Sequence, residues 1–332
     1  MPGKPSPIMK TGLGGYILSR IATLGIVILG AMTTLFFLTQ LVPGNLAQVL
    51  LGPRATPAQV EAFAERMGLD QPVYVRLWRF FFQVAQGDLG HDIVTGRPIL
   101  DMVLEVLPNT VALAFAAIGL GLLIGVPLGI YAATYRGSRG DQLTAILSVS
   151  IIATPTFVVA IYLLLIFSIW LHWLPVIGAG EPGNLVDQLV HLILPATAIA
   201  LGWIGYIARL MRASMLEVLD EPHIRTLRAY GVSSRRILWK YALKIAAIPT
   251  LAVVGLGIGD LLAGAIFVEI IFARPGIGSI IYQAINNRNY PVVQGGVLVV
   301  VLMFVISNLI VDLLYAWLDP RIRRSLAEAG PS

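Results

Sequence analysis

The sequence predicts an all-α integral membrane protein with six transmembrane helices and a small helical extracytoplasmic insert between the first and second. Three observations carry this expectation: more apolar residues than a globule can bury, apolar stretches of bilayer-crossing length, and an uneven partition of basic residues between loops. Of 332 residues, 57% are hydrophobic and 12% charged. A soluble fold of this length has too little interior for that composition, so the solvent for much of the chain is lipid. A hydrocarbon core about 30 Å thick requires roughly 20 apolar residues per helix.

The elements follow in order. A tail over 1–15 precedes the first span, 16–42. Lys4, Lys10 and Arg20 lead into its apolar run as basic residues lead into a secretory signal. The run is too long for a signal and lacks a small-residue cleavage site, which marks it as retained. Residues 43–107 form the insert. Within it, Thr56-Pro57-Ala58-Gln59 has the spacing of a capping box with proline at the first helical position, ahead of Val60, Phe63, Ala64 and Met67 at helical intervals, and Gly68 is the stop. A second helix starts at Asp70-Gln71-Pro72 and puts Val73, Leu77, Phe80, Phe81 and Val84 on one face. That face suits either a cap on the chain's own bundle near the interface or a platform for another protein. A five-helix core over 108–318 follows, with spans at 109–135, 142–173, 189–211, 242–268 and 292–318, and a tail over 319–332 closes the chain. The span at 142–173 is long enough to tilt, to kink at Pro155 or to end outside the bilayer.

Orientation comes from lysine and arginine, which concentrate in cytoplasmic loops. Three lie at the N-terminus up to Arg20, two between the second and third spans (Arg136, Arg139), eight between Arg209 and Lys244, and three at the C-terminus (Arg321, Arg323, Arg324). The opposite side carries Arg54, Arg66, Arg76, Arg79, Arg97, Arg274 and Arg288. Both termini are therefore predicted to be cytoplasmic. The net charge of +5 marks a membrane face and lends no support to nucleic-acid binding. With no cysteine there is no disulfide, thiolate metal site or cysteine nucleophile. The four histidines, His91, His172, His191 and His223, stand far apart without an H-E-x-x-H pair, and G-x-S-x-G is absent. No catalytic residue and no metal ligand is predicted.

One cytoplasmic loop, 213–240, is too polar to cross and is punctuated as a helix. Asp220 and Glu221 favour a helix N-terminus, Pro222 suits its first turn, and Gly231 can take the left-handed conformation that ends it. Ser233 or Ser234 can then cap a helix through Arg235, Arg236, Lys240 and Lys244 into the fifth span. A short helix bounded by a sharp turn is suited either to a cleft in a cytoplasmic partner or to the lipid interface. Three acids within or beside the last two spans, Asp260, Glu269 and Asp312, matter because charge inside a bilayer is costly and faces protein or water. Asp260 is the deepest, either a hydrogen-bond partner for a neighbouring helix or a pathway carboxylate that attracts a cationic group; Glu269 is a gate, a partner contact or a helix-end anchor. In the second span Gly121, Gly125 and Gly129 recur every four residues and leave one face bare for close packing, within this chain or with another.

Two runs carry a resemblance. One is His223-Ile224-Arg225-Thr226-Leu227-Arg228-Ala229-Tyr230-Gly231, with Pro249 eighteen residues beyond the glycine. The other is Val268-Glu269-Ile270-Ile271-Phe272-Ala273-Arg274-Pro275-Gly276-Ile277-Gly278, continuing to Asn287-Arg288-Asn289-Tyr290-Pro291. With Gly87-Asp88-Leu89-Gly90 and Leu107-Pro108-Asn109-Thr110, they make the sequence over 16–324 resemble permease subunits of binding-protein-dependent ATP-binding-cassette importers, specifically the first (B-type) subunit of the dipeptide/oligopeptide branch. The resemblance implies a type I importer permease fold in a bacterial or archaeal cytoplasmic (inner) membrane. It implies a second homologous permease, two cytoplasmic ATPases or one fused ATPase, and an extracytoplasmic solute-binding protein as partners. It also implies a coupling role for Asp220, Glu221, Pro222 and the run from His223 to Gly231; Glu269 and Phe272, within the second run, join Asp260, taken from its charge within the bilayer, as pathway or gate candidates. ATP and Mg are expected on the partner ATPases and no cofactor on this chain, which lacks the GxxxxGK[ST] phosphate cradle. Dipeptides, oligopeptides, glutathione-like thiols, nickel chelates and oligosaccharides all stay open as cargo. The competing readings are an independent secondary transporter, which needs internal repeats with broken helices, and an intramembrane enzyme, which needs a nucleophile and base or a metal.

Overall fold

The computed structural model describes residues 13–40, 55–67 and 71–318. Lys4, Lys10, Arg54, Gly68, Asp70, the rest of residues 1–12 and the C-terminal tail with its basic residues lie outside the described residues. In chain order the helices are α1 (Leu13–Gln40), α2 (Pro57–Met67), α3 (Val73–Ala85), α4 (Ile99–Thr134), α5 (Arg139–Ala153) and α6 (Thr156–Leu163, continued by π-helical Leu164–Trp170). Then come α7 (Leu185–Leu219), α8 (Pro222–Ala229), α9 (Ser234–Arg236, loosening through π-helical Ile237–Ala242 into Leu243–Leu256), α10 (Ile258–Ile271), α11 (Ile277–Asn286) and α12 (Tyr290–Leu318). Among the described residues the only extended pairing is an isolated bridge between His91 and Pro98.

Four stretches are each long and apolar enough to cross a bilayer: Ile99–Thr134, Leu185–Leu219, Ser234–Gly255 and Tyr290–Ile310. A fifth crossing exists if α5 and α6, bent by 102°, count as one. The first predicted span coincides with α1, whose described apolar stretch, Ala22–Leu38, is shorter than a full crossing. Two expected spans thus differ in detail from straight helices. The bend in the third falls where Pro155 forces its predecessor out of helical geometry, with Thr154 at φ −89°, ψ 123°. The fifth, expected as one helix over 242–268, is divided at Gly257. There the Trp203 indole lies so close that a Cβ on Gly257 would stand 1.8 Å from its Cη2.

The chain forms two compact units. One comprises residues 14–108 and 275–306. Its core gathers Ile99, Val103, Ile277, Ile281, Ala284 and Val292. The capping box opens α2 as its sequence requires, Thr56 N–H donating to Gln59 Oε1 (2.9 Å) and Gln59 N–H to Thr56 Oγ1 (3.4 Å). In α3, Leu77, Phe80, Phe81 and Val84 are half-buried, Val73 is more exposed, and Phe80 meets Phe36 of α1 at 6.1 Å between ring centroids. The Gly87-Asp88-Leu89-Gly90 run is a turn in which Asp88 Oδ1 accepts from Gly90 N–H at 2.8 Å. Below it Asp92 is buried, bonded by Thr95, the Val94 N–H and Asn289 Nδ2. Burial pushes its carboxyl up, but these donors outweigh burial and hold it below the usual aspartate value.

The other unit comprises residues 109–274 with 307 onward. Its helices pack through small side chains, as helices without a hydrophobic drive between them must. One core joins Leu113 and Ala117 of α4, Ala196, Ala198 and Ile199 of α7, and Leu261, Ala265 and Val268 of α10. A second joins Ile130 and Ala133 of α4, Met211, Met215 and Val218 of α7, and Ile237, Ala242 and Ala246 of α9 around Ile224 of α8.

Candidate functional site

The polar loop is a helical elbow. Asp220 follows the last turn of α7, Glu221 is the N-cap of α8 in extended conformation, and Pro222 is its first helical residue. Neither Glu221 nor Ser233 makes the side-chain cap that a sequence reading allows; Glu221 instead meets His223 Nδ1 at 2.9 Å. The helix closes on Gly231 at φ 76°, with Gly231 N–H donating to Arg228 O (3.0 Å) and Val232 N–H to Leu227 O (3.1 Å). This paired closure is a Schellman turn, and it brings Val232 and Leu227 onto the same apolar cluster. Ile224 is fully buried in that cluster. Everything else on α8 except half-buried Leu227 is presented outward: Pro222, His223, Arg225, Thr226, Arg228 and Ala229, then Tyr230 at 82% exposure. The elbow is therefore anchored through Ile224 to the adjoining ends of α7 and α9 and shows a cationic, aromatic-tipped face.

Asp260 stands elsewhere in this unit, exposed on the first turn of α10. It borders an open-sided cavity of about 620 Å³, together with Thr154, Thr156, Trp203, Tyr206 and Gly257. Glu269, two turns further along α10, is fully buried and accepts from Thr110 Oγ1 at 2.6 Å. Phe272 is buried in the α4–α7–α10 core, and its carbonyl accepts from Gly178 N–H at 2.8 Å. The structure thus separates the three pathway or gate candidates: Asp260 lines a cavity, while Glu269 and Phe272 are inside the helix packing. Beside Glu269 lies buried Arg274, whose Nε and Nη1 find no hydrogen-bond partner among the described residues.

The three glycines of α4 face α7. A Cβ on Gly129 would lie 2.6 Å from Ala208 O, one on Gly125 2.9 Å from Ile207 Cβ, and one on Gly121 3.4 Å from Trp203 Cβ. The close approach is thus made within this chain. Sequence reasoning missed a second clamp on α7. Arg212 Nε and Nη2 donate to Asp141 Oδ1 and Oδ2 at 2.6 and 2.8 Å, and Asp141 Oδ2 also accepts from Gly137 N–H at 2.9 Å. The bidentate pair fixes the start of α5 to the end of α7 that leads into the elbow. The available sequence signal was a serine N-cap, Ser138, followed three residues later by the acid, whose own N–H donates the cap bond to Ser138 Oγ at 3.2 Å.

Comparison with known proteins places these features in context. The family described as "Binding-protein-dependent transport system inner membrane component" matches residues 125–324, and "Binding-prot-dependent transport system membrane comp, N-term" matches residues 15–114. The chain is 40% identical over 327 residues to the probable D,D-dipeptide transport system permease protein DdpB of Escherichia coli (strain K12), covering 91% of this chain and 96% of that one. It is 38% identical to the dipeptide transport system permease protein DppB of Alkalihalophilus pseudofirmus, covering 93% and 99%. It is 35% identical to the glutathione transport system permease protein GsiC of Escherichia coli (strain K12), covering 93% and 98%. Its fold is similar to a chain of the MetNI methionine ABC transporter in an inward-facing conformation, with a TM-score of 0.56 at 17% identity over 66% of this chain and 96% of that chain.

Proposed function

The chain belongs to the family of binding-protein-dependent transport system inner membrane components, and we propose that it forms half of a pathway carrying di- or oligopeptides, or similar small solutes, in an ATP-driven importer. It is a multi-pass permease subunit of the inner membrane and not an enzyme. Its transport partners are a second homologous permease completing the pathway, a pair of cytoplasmic ATPase domains that hold ATP and Mg, and an extracytoplasmic binding protein that delivers the solute. The peptide assignment draws on the relatives named for dipeptide and D,D-dipeptide transport.

The observation that carries the coupling role is the elbow of α8. An ATPase cleft that seats the outward face of Arg225, Arg228 and Tyr230 grips a helix whose single buried anchor, Ile224, is packed against α4, α7 and α9 at once. Closure of the ATPases on ATP then moves that anchor, and the helices packed on it move as rigid elements between inward- and outward-facing arrangements. The exposed face supplies contact and the buried face supplies transmission, so the two separate experimentally. Exchanging Arg225, Arg228 and Tyr230 for serine while keeping Ile224 and Gly231 preserves the fold. ATP-driven uptake by the reconstituted complex then falls by at least about ten-fold, because interface energy concentrates in such arginine and tyrosine anchors. Full uptake after this exchange overturns the coupling role.

A further inference from the structure

Two places where a crossing is interrupted, the bend at Thr154-Pro155 and the break at Gly257, border one cavity. Interrupted backbone at bilayer depth is tolerated where it lies against protein or lines a water-filled space. The cavity's aromatic wall comes from Trp203, near the middle of the 35-residue α7, and Tyr206, whose rings meet edge to face at 6.0 Å. Lining the same cavity, one turn beyond the break, exposed Asp260 makes no side-chain hydrogen bond or ion pair among the described residues. The start of α10 offsets part of its charge. The remainder needs a cation or water, since a carboxylate in lipid is costly.

A carboxylate sharing a cavity with aromatic rings is the composition that holds an alkylammonium: the acid takes a charge-assisted hydrogen bond and the rings attract the cation by their faces. About 620 Å³ is the size of a small-molecule site and more than one lysine or arginine head fills. We propose that Asp260, with Trp203 and Tyr206, receives the ammonium group of the solute in transit, making this cavity a station selective for solutes with a free amino terminus. This rests on the importer reading above.

The test uses the full importer in liposomes, with its binding protein, and measures ATP-dependent uptake of dialanine and N-acetyl-dialanine by wild type, Asp260→Asn and Asp260→Glu. Each variant is expressed as a ratio to wild type for the same peptide, so the binding protein's own preference cancels. Asp260→Asn is expected to lower dialanine uptake by about ten-fold or more, the scale of a hydrogen bond to a charged group, and to spare N-acetyl-dialanine, while Asp260→Glu recovers most of the loss. Equal ratios for the two peptides overturn the proposal. So does loss of the second permease from purified Asp260→Asn complex, which assigns the carboxylate to a subunit contact. A wild-type complex that moves neither peptide on ATP overturns the peptide assignment of the importer, and the proposal with it.

Discussion

Among the described residues four helix ends use the same closure; α3 and α8 place glycine at its left-handed position (Gly87 and Gly231), while α10 and α11 do not. At α8 the left-handed position is Gly231; at α10 it is Ala273 at φ 43°, with Ala273 N–H on Ile270 O and Arg274 N–H on Glu269 O. At α11 it is Arg288 at φ 53°, with Arg288 N–H on Ile285 O and Asn289 N–H on Ala284 O. A side chain there crowds the following carbonyl at a cost of about 1–2 kcal/mol, which glycine avoids. Ala273 and Arg288 are both exposed, so replacing them removes no buried contact. Ala273→Gly and Arg288→Gly should each stabilise the protein by about 1 kcal/mol, read as a raised midpoint in thermal unfolding of the purified complex. An unchanged or lowered midpoint for both would show that the left-handed geometry is not what limits these ends. The same contrast explains why the end of α8 is legible in the sequence, marked by glycine, while the ends of α10 and α11 are set by hydrogen bonds that any residue can make.

At the level of elements, legibility tracks whether the cause is local. The bend before α6 is written in Pro155, and the start of α2 in Thr56 and Gln59, because the residues that create each feature adjoin it. The division between α9 and α10 is not, because the indole that occupies the space over Gly257 comes from α7, 54 positions earlier. Asp141 and Arg212 likewise pair across 71 positions, and no local pattern announces them. The glycine face of α4 is intermediate: its spacing predicts a close approach, and only the fold assigns α7 as the neighbour. That contact has little slack at Gly129, where the obstructing atoms include the Ala208 carbonyl and the Met211 Cβ rather than the tip of a flexible side chain. Gly129→Ala should therefore push α4 from α7 and cost about 1–3 kcal/mol, the usual range for overpacking, whereas Gly119→Ala, with nothing within 4 Å of the added carbon, should be near neutral. Denaturation of the two purified variants side by side checks this; equal stability would show that the helices adjust without cost.

At the scale of the whole molecule, the functional reading requires that the elbow of α8 and the insert carrying α2 and α3 face opposite sides of the membrane. The sequence argues this through the excess of lysine and arginine around 209–244 and at both tails, an argument about insertion that is independent of how the helices pack. The absence of cysteine makes it directly measurable, since any thiol introduced is the sole reactive one. Val94 in the insert and Tyr230 on the elbow are both strongly exposed, so neither replacement disturbs a core. In intact cells a membrane-impermeant maleimide should modify Val94→Cys and leave Tyr230→Cys untouched. In opened membranes stripped of ATPase, Tyr230→Cys should become reactive, and adding back the ATPase subunits should protect it. Modification of Tyr230→Cys from outside would invert the topology and remove the elbow from reach of any cytoplasmic motor. Correct sidedness without protection would keep the topology but put the ATPase contact on another part of the cytoplasmic surface, because a residue this exposed cannot be gripped and still react freely.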